Sequence, residues 1–342
     1  MHELLNTLYV HTQGAVLSLD SDTVRVEIEH AIKLRAPLLR LSAIVVFGNV
    51  TITPFLIHRC AQDGRTLVWL TQWGRFRARV QGPIRGNVLL RRAQHQALDA
   101  PGRPAAIARQ IIAAKVQNSR GVLLRAARES QDDEDRQALA KTAEHLARIL
   151  TRLPQITELN ELRGVEGEAA RGYFSVFSCM VRAHRSEFAL DGRTHRPPRD
   201  PTNSVLSFLY ALVRGECEGA LEGVGLDPQM GFLHCLRPGR PALALDLMEE
   251  LRPVLADRLA LTLINRQQLK PDDFEGANPG VKLTEKGRKT VLEAYEKRKG
   301  VQIRHHVLDQ QVPLGLVPHV QAKLLARHLR GDLDVYPPFI YH

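Results

Sequence analysis

The four cysteines of this 342-residue chain, at 60, 179, 217 and 235, form no C-x-x-C pair. Most sit among apolar neighbours, which reads as the reduced thiols of a cytoplasmic protein. No eighteen consecutive apolar residues occur, so a membrane span is not expected. The opening MHELLNTLYV lacks the pattern of a secretory signal. Also missing are a G-x-x-x-x-G-K-[ST] phosphate loop, a dinucleotide fingerprint between strand and helix, a G-x-S-x-G elbow, H-E-x-x-H and any zinc-finger spacing. ATP-driven, nicotinamide-dependent and common hydrolase chemistries lose support accordingly. There is no internal repeat and no long low-complexity tract.

What is present divides by period. A hydrophobic content of 44% allows a sizeable core, and a formal charge of +10 suits a polyanionic partner without proving one. Residues 1 to about 85 read as β. DTVRVEIE puts Val24, Val26 and Ile28 on one face and Arg25, Glu27 and Glu29 on the other. LSAIVVFGNVTIT follows with a turn at Gly48-Asn49, PFLIHRCAQDG suits a short helix, and DGRTLVWLTQWGRFRARV gives two more strands around a turn near Gly74. Arg75, Arg77 and Arg79 alternate along the last of these, placed to bind DNA or a subunit. QGPIRGN, residues 81–87, looks like a hinge. Beyond it the period is helical. DDEDRQALAKTAEHLARILTRL begins acidic and turns basic, the sense a helix dipole favours. Further helices are expected at about 166–185, 202–222, 243–265, 284–298 and 317–330. The fold class is α+β: a small, mostly antiparallel N-terminal β domain (1–82), a hinge (83–88), and a large all-helical domain (89–342).

Two stretches carry chemistry. In LRGVEGEAARGYFSVF a helix starting near Glu166 sets that carboxylate on the half-apolar face of Ala170, Tyr173 and Phe177. Glu166 then either favours the helix start or needs a cation, since burying a lone carboxylate is unfavourable. Glu168 points about 200° away and suits a solvated or dipole role. In GFLHCLRPGRPALALDLMEELRP, Asp246 and Glu249 lie one helical turn apart, and Pro253 removes the hydrogen bond to the Glu249 carbonyl, so the helix should kink or pause there. His234 is either a core histidine bonded to a carbonyl or a ligand. Glu166, His234 and Glu249 together make two carboxylates and an imidazole. That hard, mixed set suits Mg²⁺ or Mn²⁺ better than a structural zinc site. Such an ion activates a water or a 3′ hydroxyl and stabilises charge on a phosphodiester.

With LRGVEGEAARGYF (162–174), DPTNSVLSFLYALVRGECEGAL (200–221) and GFLHCLRPGRPALALDLMEELRP (231–253) in this order, the chain resembles the CRISPR-associated integrase of spacer acquisition, in style the subtype I-C protein. AIVVFGNVTIT and GRTLVWLTQWGRF fit that family's N-terminal domain, so the resemblance covers almost the whole chain. It implies a metal-dependent DNA endonuclease and integrase that inserts prespacer DNA into a CRISPR array by 3′-hydroxyl attack. By motif, the metal ligands are Glu166, His234 and Glu249. Asp246 is a supporting acid and a further catalytic residue, Arg252 a local charge partner, and Glu250 a bystander facing away. Tyr173 supports Glu166 or packs beneath the site. The family implies Mg²⁺ or Mn²⁺, double-stranded and branched DNA, a homodimer built through the β domain, and a heterohexamer with a small ferredoxin-like second CRISPR-associated protein. It implies no membrane association. Residues 281–330 hold eleven Lys or Arg against four Asp or Glu, and DNA contact is expected there. The rival readings are a branched-DNA repair nuclease and a noncatalytic DNA-binding scaffold.

Overall fold

Alternation in TVRVEI is what the backbone obeys. In a computed structural model, which describes residues 2–4, 7–41, 43–72, 76–80, 88–194, 197–276 and 280–341, Val24 and Val26 are fully buried, while Arg25 pairs with Glu27 at 2.8 Å on the other face. The chain forms two compact units, residues 1–85 with 288–297, and residues 86–287 with 298–342. The hinge expected at 83–88 falls, but for its last residue, outside the described residues, as does the turn at Gly74.

The first unit contains β1 (His2–Leu4), β2 (Thr7–Val10), β3 (Val16–Asp20), β4 (Thr23–Ile28), β5 (Ala31–Pro37), β6 (Ala43–Phe47), β7 (Thr51–Ile52), α1 (Pro54–Asp63), β8 (Thr66–Leu70) and β9 (Phe76–Val80). One sheet has the order β1-β2-β6-β8-β9 and the other β5-β4-β3-β7. Leu8, Leu17, Val26, Ile44 and Leu67 from the strands share one core with Leu56 and Cys60 of α1. The helix expected at PFLIHRCAQDG is α1. Pro54 opens it, and Gly64 closes it at φ 71°, a left-handed conformation that glycine adopts without strain. The β character is as expected, but the pairing is mixed: β2·β6, β6·β8 and β3·β7 are parallel. Crossovers through β3–β5 and α1 supply the length that parallel neighbours require.

The second unit is built on α2 (Val88–Asp99), α3 (Arg103–Glu129), α4 (Asp133–Arg152), α5 (Leu159–Ser175), α6 (Pro201–Val224), α7 (Ala242–Leu251), α8 (Arg258–Asn265), α9 (Glu285–Lys299, whose residues 288–297 count with the first unit) and α10 (Val317–Arg330). Its helices start where chemistry says they should. Asp132 caps α4 by accepting from the Asp135 N–H, and three acids follow in the first turn. Asp200 caps α6 the same way, ahead of Pro201. The unit is helix-rich, yet two short antiparallel hairpins interrupt it: β10 (Phe274–Gly276) with β11 (Val281–Leu283), and β12 (Gln302–His305) with β13 (Gln310–Pro313). In β12 the buried Ile303 and His305 alternate with exposed Gln302 and Arg304, a period of two too brief to stand out in sequence.

Two helix boundaries shape the site. The helix expected at 166–185 spans Leu159–Ser175, because the buried stripe Leu162, Val165, Ala169 and Tyr173 extends upstream of Glu166. Glu166 therefore sits in mid-helix and caps nothing. The helix expected at 243–265 is α7 and α8 joined through a π-helical segment, Arg252–Asp257. Pro253 has no N–H to offer the Glu249 carbonyl, and the wider turn is the backbone's response.

Candidate functional site

Asp246 has no solvent exposure, and its carboxylate serves one short segment, residues 232–234. Its Oδ2 accepts from the N–H groups of Phe232 (2.6 Å) and Leu233 (2.9 Å), and its Oδ1 from the His234 N–H (2.9 Å). The imidazole Nδ1 lies 2.6 Å from the same Oδ1. A carboxylate surrounded by backbone donors can only accept, so we assign the proton to Nδ1, which leaves the Nε2 lone pair free. That Nε2 faces Glu249, 4.0 Å from its Oε1. Asp246 thus fixes the segment and sets the tautomer and aim of the His234 ring, the kind of arrangement known to strengthen metal-bound imidazoles.

Gly231 makes the segment's approach to α7 feasible. A Cβ there would lie 2.5 Å from the Ala242 carbonyl carbon and 2.7 Å from the Leu243 nitrogen. Backbone cannot yield as a side-chain tip does. Gly231→Ala should therefore destabilise the fold by about 3 kcal/mol, read from urea unfolding. An unchanged midpoint would contradict that contact.

Glu249 forms the floor of the site, with only 3% of its side chain exposed, whereas Glu166 (27%) and His234 (23%) line an open rim. The ammonium of Lys115, on α3, pairs with Glu166 Oε1 and stands 2.6 Å from Glu249 Oε2. Arg252 donates to Glu249 Oε1 at 2.6 Å. Burial pushes the Glu249 carboxyl up, but the Arg252 guanidinium and the Lys115 ammonium outweigh it and hold it down at about 2. Glu166, His234 and Glu249, 83 residues apart at the extremes of sequence, thus converge with Lys115 between the two carboxylates.

Among the described residues no group of three or more His, Cys, Asp and Glu has the spacing to hold a metal ion. The donor chemistry nevertheless fits one. Two carboxylates already share one cationic partner, and Glu249 Oε2 is buried with an ion-pair contact but no aligned hydrogen bond. The third donor is an imidazole with its nitrogen lone pair kept free. Two oxygens and one nitrogen suit a hard or borderline divalent ion.

Two neighbours, Lys115 and Tyr210, escaped the sequence reading. Lys115 is the one charged residue in QIIAAKVQNS, next to the apolar IIAA, and that isolation was the available signal. Arg252 lies over the Tyr210 ring at 4.1 Å, and Tyr210 donates to Asp257 at 2.7 Å. Burial, then Asp257, raises the Tyr210 hydroxyl, so it remains a donor. This stack holds Arg252 against Glu249 from behind. Tyr173 packs beneath the site, edge-on to Phe174 at 5.2 Å, beside a cavity of about 20 Å³ that also touches Lys115 and Asp257. Glu168 lies 3.3 Å from His145 and 3.6 Å from Arg152, away from the cluster. Glu250 does face elsewhere. Burial pushes its carboxyl up to about 8 despite hydrogen bonds from Phe339, Tyr336 and Gln321.

Comparison with known proteins converges on one family. The family model described as "CRISPR associated protein Cas1" matches residues 8–297. A CRISPR-associated endonuclease Cas1 of Moorella thermoacetica is 53% identical over 342 residues, covering 100% of both chains. One from Rhodospirillum rubrum is 51% identical over 346 residues, again covering 100% of each. Among solved structures, a CAS1 protein from Thermotoga maritima superposes with a TM-score of 0.81 at 24% identity, over 96% of this chain and 98% of that one, a likeness of fold.

Proposed function

The chain belongs to the Cas1 family of CRISPR-associated proteins, and from that premise we propose that it is a divalent-metal-dependent DNA endonuclease and integrase of spacer acquisition, of subtype I-C. The observation that carries the reading is the convergence of Glu166 and Glu249 on one cation, with His234 aimed by Asp246 at Glu249. Glu166, Glu249 and His234 Nε2 would hold Mg²⁺ or Mn²⁺, which when bound supplies Lewis-acid stabilisation of a phosphodiester. The reaction forms a P–O bond to the incoming 3′ oxygen and breaks the existing P–O3′ bond. One ester replaces another, so no nucleotide triphosphate is consumed. Within it, Asp246 fixes His234, and Arg252 fixes Glu249 with Tyr210 and Asp257 behind it. Lys115 supplies positive charge beside the reacting phosphate.

The DNA-binding face narrows with the charges that are already paired. Lys299 pairs with Glu216, Lys286 with Asp273, and Arg304 with Asp309. On α10, Lys323 and Arg327 are exposed one turn apart and suit phosphates, whereas Arg330 pairs with Asp332 at 2.8 Å. On the first unit Leu39 is 90% and Phe55 77% exposed, which supports a homodimer through the 1–82 β domain. A small second CRISPR-associated protein would complete the heterohexamer. Among the described residues no helix is long and apolar enough to cross a membrane, and the DNA substrate places the reaction in the cytoplasm.

Strand transfer of labelled prespacer DNA into a leader–repeat target tests the reading. Products should need Mg²⁺ or Mn²⁺ and vanish in Glu166→Ala, His234→Ala and Glu249→Ala; normal products from all three would sink the site. Flap or junction cutting without repeat preference would instead favour a repair nuclease, and DNA binding without chemistry a scaffold.

Lys115→Met offers a separate check. With the ammonium gone, two carboxylates face each other, and the variant in chelator should lose about 2–4 kcal/mol. Saturating Mn²⁺ should restore more stability to it than to the wild type. Equal Mn²⁺-induced melting shifts in the two proteins would contradict the convergence of Glu166 and Glu249 on one cation.

A further inference from the structure

One turn along α3 from Lys115 stands Asn118, and next to Glu249 on α7 stands Glu250. Both are buried, and both are bound to the same short stretch of chain after α10. Asn118 Nδ2 donates to the Phe339 carbonyl at 3.0 Å and, across to α7, to the Glu250 carbonyl at 2.8 Å. Its Oδ1 accepts from the Tyr341 N–H at 2.9 Å. Glu250 accepts from the Tyr336 hydroxyl at 2.7 Å and from the Phe339 N–H at 2.7 Å. Gln321, from α10, donates to Glu250 at 3.1 Å and lies 2.9 Å from the Tyr336 hydroxyl. Tyr336 and Phe339 have 1% and 0% exposure.

A segment that only plugged the core would need its rings and nothing more. This one also places its backbone and hydroxyl against one polar side chain from each of the two helices that carry Lys115 and Glu249. Slip of α7 along α3 would break bonds to Asn118 and Glu250 together. The same slip would separate Lys115 from Glu249, now 2.6 Å apart. A displacement of about 1 Å at reacting groups lowers rates by roughly 10²-fold.

We propose that the C-terminal stretch 336–341 is a positioning element for the site: by bonding Asn118 and Glu250 at once, it fixes α7 against α3 and so sets the spacing of Glu249 and Lys115. The proposal rests on the assignment of Glu249 to the site, and the fixing of the helices is tested independently of it.

In the full chain, Tyr336→Phe keeps the buried ring and removes one hydroxyl, and Asn118→Ala removes the link between helices. Amide hydrogen exchange should quicken about tenfold in a peptide spanning 242–251 while peptides of α4 keep their wild-type rates. In the strand-transfer assay, kcat should fall about tenfold with KM for DNA within roughly twofold. Unchanged exchange at 242–251, or equal acceleration in α4, would overturn the proposal. So would faster exchange at 242–251 with kcat unaltered in a catalytically competent background. If Asn118→Ala does not fold, Tyr336→Phe carries both readouts. If the wild type shows no metal-supported chemistry, the functional reading fails, and the exchange pattern still decides whether the stretch holds the two helices.

Discussion

Glu249→Gln is expected to lower metal-supported nicking and joining of DNA by about 10³-fold while leaving a folded protein. The amide keeps the volume of the side chain but loses the charge that Lys115 and Arg252 converge on. A metal ligand that stabilises charge in phosphoryl transfer contributes several kcal/mol, and about 4 kcal/mol corresponds to that factor. Stability should respond as well. The Glu249 carboxyl falls from an ordinary value of 4.5 to about 2 on folding. A group depressed in the folded state stabilises the protein above its unfolded pKa, and that contribution is lost as pH falls through the folded one. The wild type should therefore exceed the variant by about 3 kcal/mol, to order of magnitude, from neutral pH down to about 5, with the gap closing in more acidic solution. Urea titrations across this range read the gap. A variant that nicks DNA at the wild-type rate, or a gap that widens in acid, would refute the role given to this carboxylate.

How much of this was legible in the chain depended on the distance over which each signal acts. Asp246, Glu249 and Pro253 lie within eight residues, so helical geometry alone placed the two acids a turn apart and predicted the break that appears as the π-helical Arg252–Asp257 segment. The choice of Glu249 over Glu250 came from the family resemblance, and helical geometry adds only that adjacent residues point about 100° apart. Strand character in TVRVEI followed from its period, but the partners did not. Parallel pairing of β2 with β6 is a contact between segments more than thirty residues apart, and alternation is the same in either direction. Glu166 was misplaced along its helix because the acidic and glycine-rich LRGVEGEAA obscured a buried stripe that begins at Leu162. Lys115 and Tyr210 enter only through tertiary packing. Their local sequences are apolar helix faces, and nothing within them names a carboxylate 51 or 47 residues away. The polar tip of each was the clue, since a buried ammonium or hydroxyl must find a partner somewhere.

Asp246→Asn should damage both the fold and the site without adding or removing bulk. Its two oxygens accept from three backbone N–H groups and from the imidazole Nδ1, at 2.6–2.9 Å. An amide must turn its NH₂ toward one pair of these donors. If it faces Phe232 and Leu233, two buried N–H groups are stranded. If it faces His234, the backbone N–H is stranded and the ring must accept at Nδ1, which puts its proton on Nε2 and removes the lone pair aimed at Glu249. Each stranded buried donor is unfavourable by about 1–3 kcal/mol, so a loss of about 2–3 kcal/mol is expected from urea unfolding even in the orientation that strands one. Loss of a bond that orients a metal-bound imidazole lowers metal affinity or activity by about 10–10²-fold. The ¹⁵N shifts of His234 distinguish the two amide orientations, and Mn²⁺ titration reads the site without turnover. A variant with the wild-type tautomer, Mn²⁺ affinity and unfolding midpoint would show that Asp246 only closes a loop. A variant that keeps its fold but binds Mn²⁺ weakly would show that the carboxylate works through His234, as the bond lengths require.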